Sequence, residues 1–350
     1  MTSIRRLTAA LVLVPAVLAV VAGPAAADPP PPTGASYCAV GSETMQAVMQ
    51  RLAGTVRSVS GKTFESWHAT GSSTITTSCA PGAFPRPGGS TDGTLALRDS
   101  KGLNTGPVPD NAISFARSWR GPVVTGDALQ FVPFGVDAVA PAVRSGGLLD
   151  RAFPNGLSFA MLQSIYNCTT TTVTVGGETR TIRPYVPGLK SDTRNFFLYA
   201  LNLHDTVVNT TCVRDTKLSG EPVPENDGTV LTDPAGVVEI VPMSIASIIA
   251  QTDHVVTGVE DRRGGSKPMV VAGAAPIVNG AINPAWPVWL QQKVYNAFPR
   301  RSVAGAFADS DLVSLFVGVS SMVCTDTATL HRFGFRTASD CGSLSVLGNY

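Results

Sequence analysis

Histidine, charge and recognisable catalytic signatures are all scarce in this chain. Only four histidines occur, His68, His204, His254 and His331, and they are scattered. There is no H-E-x-x-H, no G-x-S-x-G elbow, no Walker loop, and no lysine preceded by serine at the S-x-x-K distance. The sequence therefore offers no catalytic constellation, and a non-enzyme is expected. No Cys-x-x-Cys pair is present, which argues against zinc-ribbon and thioredoxin-like sites. Nothing implies a cofactor. Charged residues make up 15% of the chain without a basic run, so neither nucleic acid nor an anionic membrane surface is indicated as a partner. Beyond the N-terminus no apolar stretch reaches the ~18 residues of a membrane span.

At the N-terminus, Arg5 and Arg6 precede an apolar run, Leu7 to Val21, and then Ala25-Ala26-Ala27. This pattern reads as a secretory signal peptide cut after Ala27. Its removal takes away two arginines and no acid, moving the formal charge from +1 to −1. No cysteine follows the apolar run closely enough for lipid attachment, so no membrane anchor is expected, and a monomer is expected in solution. In an oxidising compartment the six cysteines read as disulfides. Fifteen connectivities are open in principle, and the simplest joins sequence neighbours: Cys38 with Cys79, Cys168 with Cys212, and Cys324 with Cys341.

The proline tract at residues 28–35 is a stiff leader. After it, strand-like runs alternate with helical ones, as expected for an α/β protein with open, mainly parallel sheets. Met45, Val48, Met49 and Leu52 form one helical face, and Phe159, Leu162, Ile165 and Tyr166 another. A further helix starts near Ser90. A short buried strand is expected over Ala112 to Ala116, and a long apolar, β-branched segment spans Leu129 to Val143. Gly176-Gly177 separates two β-rich halves as in a hairpin. Residues 203–234 read as a loop-rich excursion, and a terminal helix is expected to complete the fold.

The tripeptide Ser-acid-Thr occurs twice at an expected helix start, at Ser42-Glu43-Thr44 and Ser191-Asp192-Thr193. A third polar turn, Ser90-Thr91-Asp92, also opens a helix, and Arg117-Ser118-Trp119-Arg120 follows a strand. Such turns are ordinary helix caps. Helix N-termini also present free N–H groups and partial positive charge to an oxyanion, and in open sheets ligands gather at strand ends.

In this order, "GSETMQAVM", "FPRPGGSTDG", "ISFARSWRGP", "LQFVPFGVDAVA", "SDTRNFFLYAL", "VPMSIASIIAQ" and "DRRG" resemble the phosphate-binding-protein-like branch of the type 2 periplasmic substrate-binding proteins, especially its exported actinobacterial members. The resemblance implies a two-lobed α/β fold with two crossing strands and a central cleft. Lobe one would comprise residues 36–137 plus 243–350, and lobe two residues 138–242. The implied function is a secreted solute-binding protein taking phosphate or a similar small oxyanion, with an ABC permease as a further partner. The implied ligand set is Ser42, Glu43, Thr44, Ser90, Thr91, Ser118, Arg120, Ser191, Asp192, Thr193 and Arg194. Asp192 stands where the family carries glycine, and Pro187 where it carries arginine. Monohydrogen phosphate could give its proton to one of the carboxylates, whereas sulfate has none to give. The competing reading is an extracellular binding or structural protein that keeps this fold without serving transport.

Overall fold

A computed structural model describes Asp28 and residues 32–349. The signal-peptide expectation lies outside the described residues. Eight strands form the main path of an eleven-stranded sheet, in the order Thr63–Ser66, Ala35–Gly41, Phe115–Ser118, Gln291–Pro299, Val124–Arg144, Val237–Ser244, Glu178–Pro184 and Thr172–Val175. Parallel pairing is confined to Ala35–Gly41 with its two neighbours and to Glu178–Pro184 with Val237–Ser244; the other pairs are antiparallel. The expectation of mainly parallel sheets is therefore corrected. Apolar patterning sets which face of a strand is buried and carries no information on the direction of its partner.

Strand Val124–Arg144 organises the molecule. Its 21 residues cover the whole apolar segment, and its burial is continuous from Leu129 to Val143 apart from Val136 at the middle. Leu129 to Ala138 pair with Gln291–Pro299, whereas Val139 to Val143 pair with Val237–Ser244. The strand thus changes partner between Ala138 and Val139. Pro133 lacks an N–H for the ladder, and beside it the register slips, between Val294 and Tyr295. Asp137 marks the exchange of partners. Its buried carboxylate accepts from Ser244 Oγ (2.6 Å), Trp119 Nε1 (2.7 Å) and the N–H groups of Ala246 (3.0 Å) and Ala138 (2.6 Å).

Helix Gln46–Thr55 buries Val48, Met49 and Leu52, with Met45 just before it, so the expected face is the one packed on the sheet. Helix Phe159–Tyr166 likewise buries Leu162, Ile165 and Tyr166, and Ser158 caps it by accepting from Met161 N–H. The hairpin of Thr172–Val175 and Glu178–Pro184 turns through Gly176 and Gly177, whose φ values of 59° and 83° suit glycine. The strand expected from Ala112 lies instead at Phe115–Ser118. Upstream of it, Ala112 N–H turns to Pro109 O and Ile113 N–H to Ser100 Oγ, so those residues leave the ladder. The expected late helix forms at Ser310–Phe316, and the described residues then end in strand Val346–Asn349, paired with Val124–Arg144.

Phe64, Phe115, Phe298 and Phe316 interlock with ring centroids 4.9–5.3 Å apart. They bind the C-terminal segment onto the first strands, with each such pair adding about 1 kcal/mol beyond area burial. The three disulfides are Cys38–Cys79, Cys168–Cys212 and Cys324–Cys341, the sequence-neighbour pairing. Among the described residues no helix is long and apolar enough to cross a membrane.

Candidate functional site

The turn after strand Ala35–Gly41 is shaped by an arginine. Gly41 has φ 114°, and a Cβ there would stand 2.4 Å from Arg117 O, so only glycine fits. Ser42 N–H donates to Arg117 O (3.1 Å), and the fully buried Arg117 guanidinium returns bonds to Ser42 O (3.1 Å), Gly41 O (2.7 Å) and Ser66 Oγ (2.9 Å). Burial pushes the Arg117 pKa down to about 9. Its charge is thus spent on the loop's carbonyls. The following helix begins only at Gln46, after Met45, without a side-chain cap. Ser42 is therefore not a helix cap, and its buried Oγ has no hydrogen-bond partner.

The second turn lies against the first. A Cβ on Gly93 would stand 2.6 Å from Gly41 Cα, and one on Gly89 would stand 2.5 Å from Lys190 O. The small residues around Ser90 let three backbone segments meet. Ser90 is the first residue of helix Ser90–Ser100. Its hydroxyl accepts from Trp119 N–H (2.8 Å) and donates to Asp192 Oδ2 (2.5 Å), while its own N–H approaches the same oxygen at 3.3 Å. Next to it, Lys190 Nζ pairs with Asp92 (2.6 Å), and Arg120 Nη2 donates to Thr91 Oγ1 (2.9 Å). Ser118 Oγ donates to Arg120 O (2.6 Å) and shapes its own turn.

Ser191 caps helix Asp192–Ala200 by accepting from Arg194 N–H (3.1 Å). Its hydroxyl proton goes to Glu225 Oε1 (2.8 Å), which also accepts Thr193 N–H (3.0 Å). Glu225 thus lies on this helix N-terminus as Asp192 lies on the other. Thr193 Oγ1 is buried without a partner. Arg194 points elsewhere, bonded through Nε and Nη2 to Asp205 (2.6 and 3.0 Å) and through Nη1 to Asp215 (2.9 Å) and Pro187 O (3.0 Å). Asn226 joins the first turn to strand Val237–Ser244. Its Nδ2 donates to Thr44 Oγ1 (3.2 Å), and its Oδ1 accepts from Ser244 N–H (2.8 Å).

The structure therefore gathers Ser42, Glu43, Thr44, Ser90, Asp192, Ser191 and Thr193 around one polar seam, with Thr91 and Arg120 at its edge. It turns Arg194 into a separate ion-pair network and Ser118 onto its own turn. Glu225, Asn226 and Trp119 belong to the seam and were not singled out from sequence. The polar stretch around "PENDG" carried only a general turn signal.

The seam is crowded with acids. Burial, and next the Glu225 charge, raise the Glu43 pKa to about 7, with Arg262 at 3.5 Å opposing the rise. The same two causes raise Asp192 to about 6, opposed by its bonds from Ser90 and by Arg120. Asp137 is also raised, by burial. A cavity of about 60 Å³ beside Glu43, lined by Thr44, Gln46, Asn226, Gln251 and Arg262 among others, has room for water rather than a large solute. The chemistry on offer is hydrogen-bond donation to a carboxylate-like or phosphate-like oxyanion.

No family model matches the chain, and no curated protein matches it in sequence. Solved structures do match its fold. The chain is similar to an ABC-type phosphate transport receptor from Vibrio cholerae, at 15% identity and TM-score 0.51, over 86% of this chain and 100% of that one. It is also similar to a putative phosphate ABC transporter substrate-binding protein with bound phosphate from Clostridium perfringens, at 10% identity and TM-score 0.52, over 87% and 99%. The chain has the mixed α/β fold of periplasmic phosphate-binding proteins.

Proposed function

We propose that this chain is an exported solute-binding protein that holds a small oxyanion, phosphate by preference, between two lobes and performs no chemistry. The lobes are residues 36–137 with 243–350, and residues 138–242. They hinge where strand Val124–Arg144 exchanges partners and where Val237–Ser244 returns beside it. The observation that carries this reading is the convergence of two helix N-termini, at Ser90 and at Ser191 to Thr193, each already bonded to a carboxylate oxygen. Donors placed to hold Asp192 and Glu225 are of the kind that holds a free oxyanion. The two proteins named above, a phosphate transport receptor and a putative substrate-binding protein with bound phosphate, favour phosphate, and an ABC permease would be the transport partner. Export after cleavage at Ala27 accounts for the three disulfides.

A second reading has its own observation. The same two carboxylates occupy the donors, and Asp192 joins the lobes through Ser90, as in an extracellular binding or structural protein that no longer serves transport. Calorimetric titration of the mature secreted protein with phosphate, sulfate and a panel of small metabolites separates the two. Saturable heat with phosphate supports the first reading. Heat with none of them supports the second.

A further inference from the structure

The acid in the Ser191-Asp192-Thr193 turn has a position that explains more than a helix-dipole contact. Asp192 is the first residue of its own helix, yet its carboxylate reaches across to the first residue of helix Ser90–Ser100. The direction of the bond is set by its neighbour. Because Ser90 Oγ accepts Trp119 N–H at 2.8 Å, the serine proton is directed to Asp192 Oδ2 at 2.5 Å. The Ser90 N–H adds a second donor to the same oxygen. An oxygen of a free oxyanion at this helix N-terminus would take these two donors. Asp192 is 4% exposed and Ser90 fully buried, so no solvent competes.

Two further hydroxyls point to a ligand position. Thr193 Oγ1, on the turn whose N–H holds Glu225, is fully buried without a partner. So is Ser42 Oγ, on the turn packed against Gly93. A buried hydroxyl without a partner is costly, by about 1 to 3 kcal/mol, and is rarely left so without a purpose.

Resting on the oxyanion reading above, we infer that Asp192 is a built-in competitor for the interlobe oxyanion position. Its carboxylate occupies the Ser90 donors, and a free oxyanion reaches them only by displacing it. Asp192 is then the residue that sets affinity. It weakens binding of every small oxyanion, and its removal converts a self-filled seam into an open anion site. Displacement moves the Asp192 carboxylate away from the Glu225 charge and so relieves the repulsion between them.

The test is a set of thermal melts in chloride, formate and phosphate at equal ionic strength, on the full mature protein and on Asp192→Ser, with Asp192→Gly in reserve should the serine variant not fold. Glu43→Gln removes a charge from the same seam without emptying Ser90 and controls for general electrostatics. The expected result is a lower melting temperature for Asp192→Ser in chloride, recovered by about 4 °C or more with saturating phosphate or formate. The parent and Glu43→Gln should shift by less than half as much. If the variant responds to formate and neither protein to phosphate, the phosphate ligand falls and the role of Asp192 stands. If the parent responds to phosphate as strongly as the variant, phosphate binding stands and the competitor role is overturned. A variant that no anion restores beyond chloride overturns it as well.

Discussion

Asn226 Nδ2 donates to Thr44 Oγ1 across 3.2 Å, joining residues 182 positions apart. Asn226 adopts φ 54°, a left-handed conformation that asparagine tolerates better than most residues, and this turns its amide toward the Thr44 loop. Its Oδ1 meanwhile accepts Ser244 N–H (2.8 Å), at the end of the returning strand. One side chain thus fastens the opening loop, the loop-rich excursion and the crossing strand. Both partners are buried. Asn226→Ala should therefore cost about 2 kcal/mol, since it strands the Ser244 N–H and the Thr44 hydroxyl. Lys190→Ala breaks an exposed ion pair over the same seam and should cost less than about 1 kcal/mol. Urea denaturation of the two variants checks the ranking, and equal losses would contradict it.

Stability should fall as pH rises from about 5 to 8. Folded Glu43 has a pKa raised to about 7 and Asp192 one raised to about 6, both first by burial. A carboxyl raised on folding binds its proton more tightly in the native state. Its contribution is complete below the unfolded pKa, near 4, and is lost as pH climbs through the folded value. Glu43→Gln should flatten the melting-temperature profile over this window. A parent profile that rises from pH 5 to 8 would contradict the assignment of these two acids to a closed seam.

Arg117 is a loop support and not a ligand arginine. Arg117→Met would leave the buried carbonyls of Gly41 and Ser42 without their donors and should cost about 3 kcal/mol or more. Arg117→Lys should recover only part of this, because a single ammonium cannot reproduce the forked geometry. Chemical denaturation measures both losses, and a lysine variant as stable as the parent would show that the fork is dispensable.

The Cys168–Cys212 bridge closes a separation of 44 residues and holds the excursion that carries Arg194's partners and leads to Glu225. Replacing both cysteines by serine should cost about 2 to 4 kcal/mol. Limited proteolysis should then cut first within residues 203–234. Cleavage elsewhere at the same rate would show that another contact holds this loop.

Local chemistry made much of the fold legible. Met45, Val48, Met49 and Leu52 reveal a helix because burial repeats at helical spacing, and Gly176-Gly177 reveals a hairpin because its φ values favour glycine. The proximity of cysteines in sequence was enough for all three bridges. Strand direction was not legible, since alternation is the same for parallel and antiparallel partners. The polar turns were visible as helix starts, but what they hold was not. Asp192 and Ser90 are 102 residues apart, and no local pattern reports which acid completes which cap. Separation in sequence also hides Glu225, 34 residues from Ser191, and Asn226, 182 residues from Thr44. Arg117 and Arg120 sit three residues apart, and only the packing shows that the first faces inward to carbonyls while the second lies at the rim beside Thr91.

The claim that the seam is an oxyanion position is tested most directly by diffraction from Asp192→Ser crystals soaked in arsenate, a phosphate isostere with a usable anomalous signal. The account predicts an anomalous peak within hydrogen-bond distance of Ser90 N and Oγ, between the two helix N-termini. A peak confined to the protein surface, with the seam closed by other side chains, would contradict it.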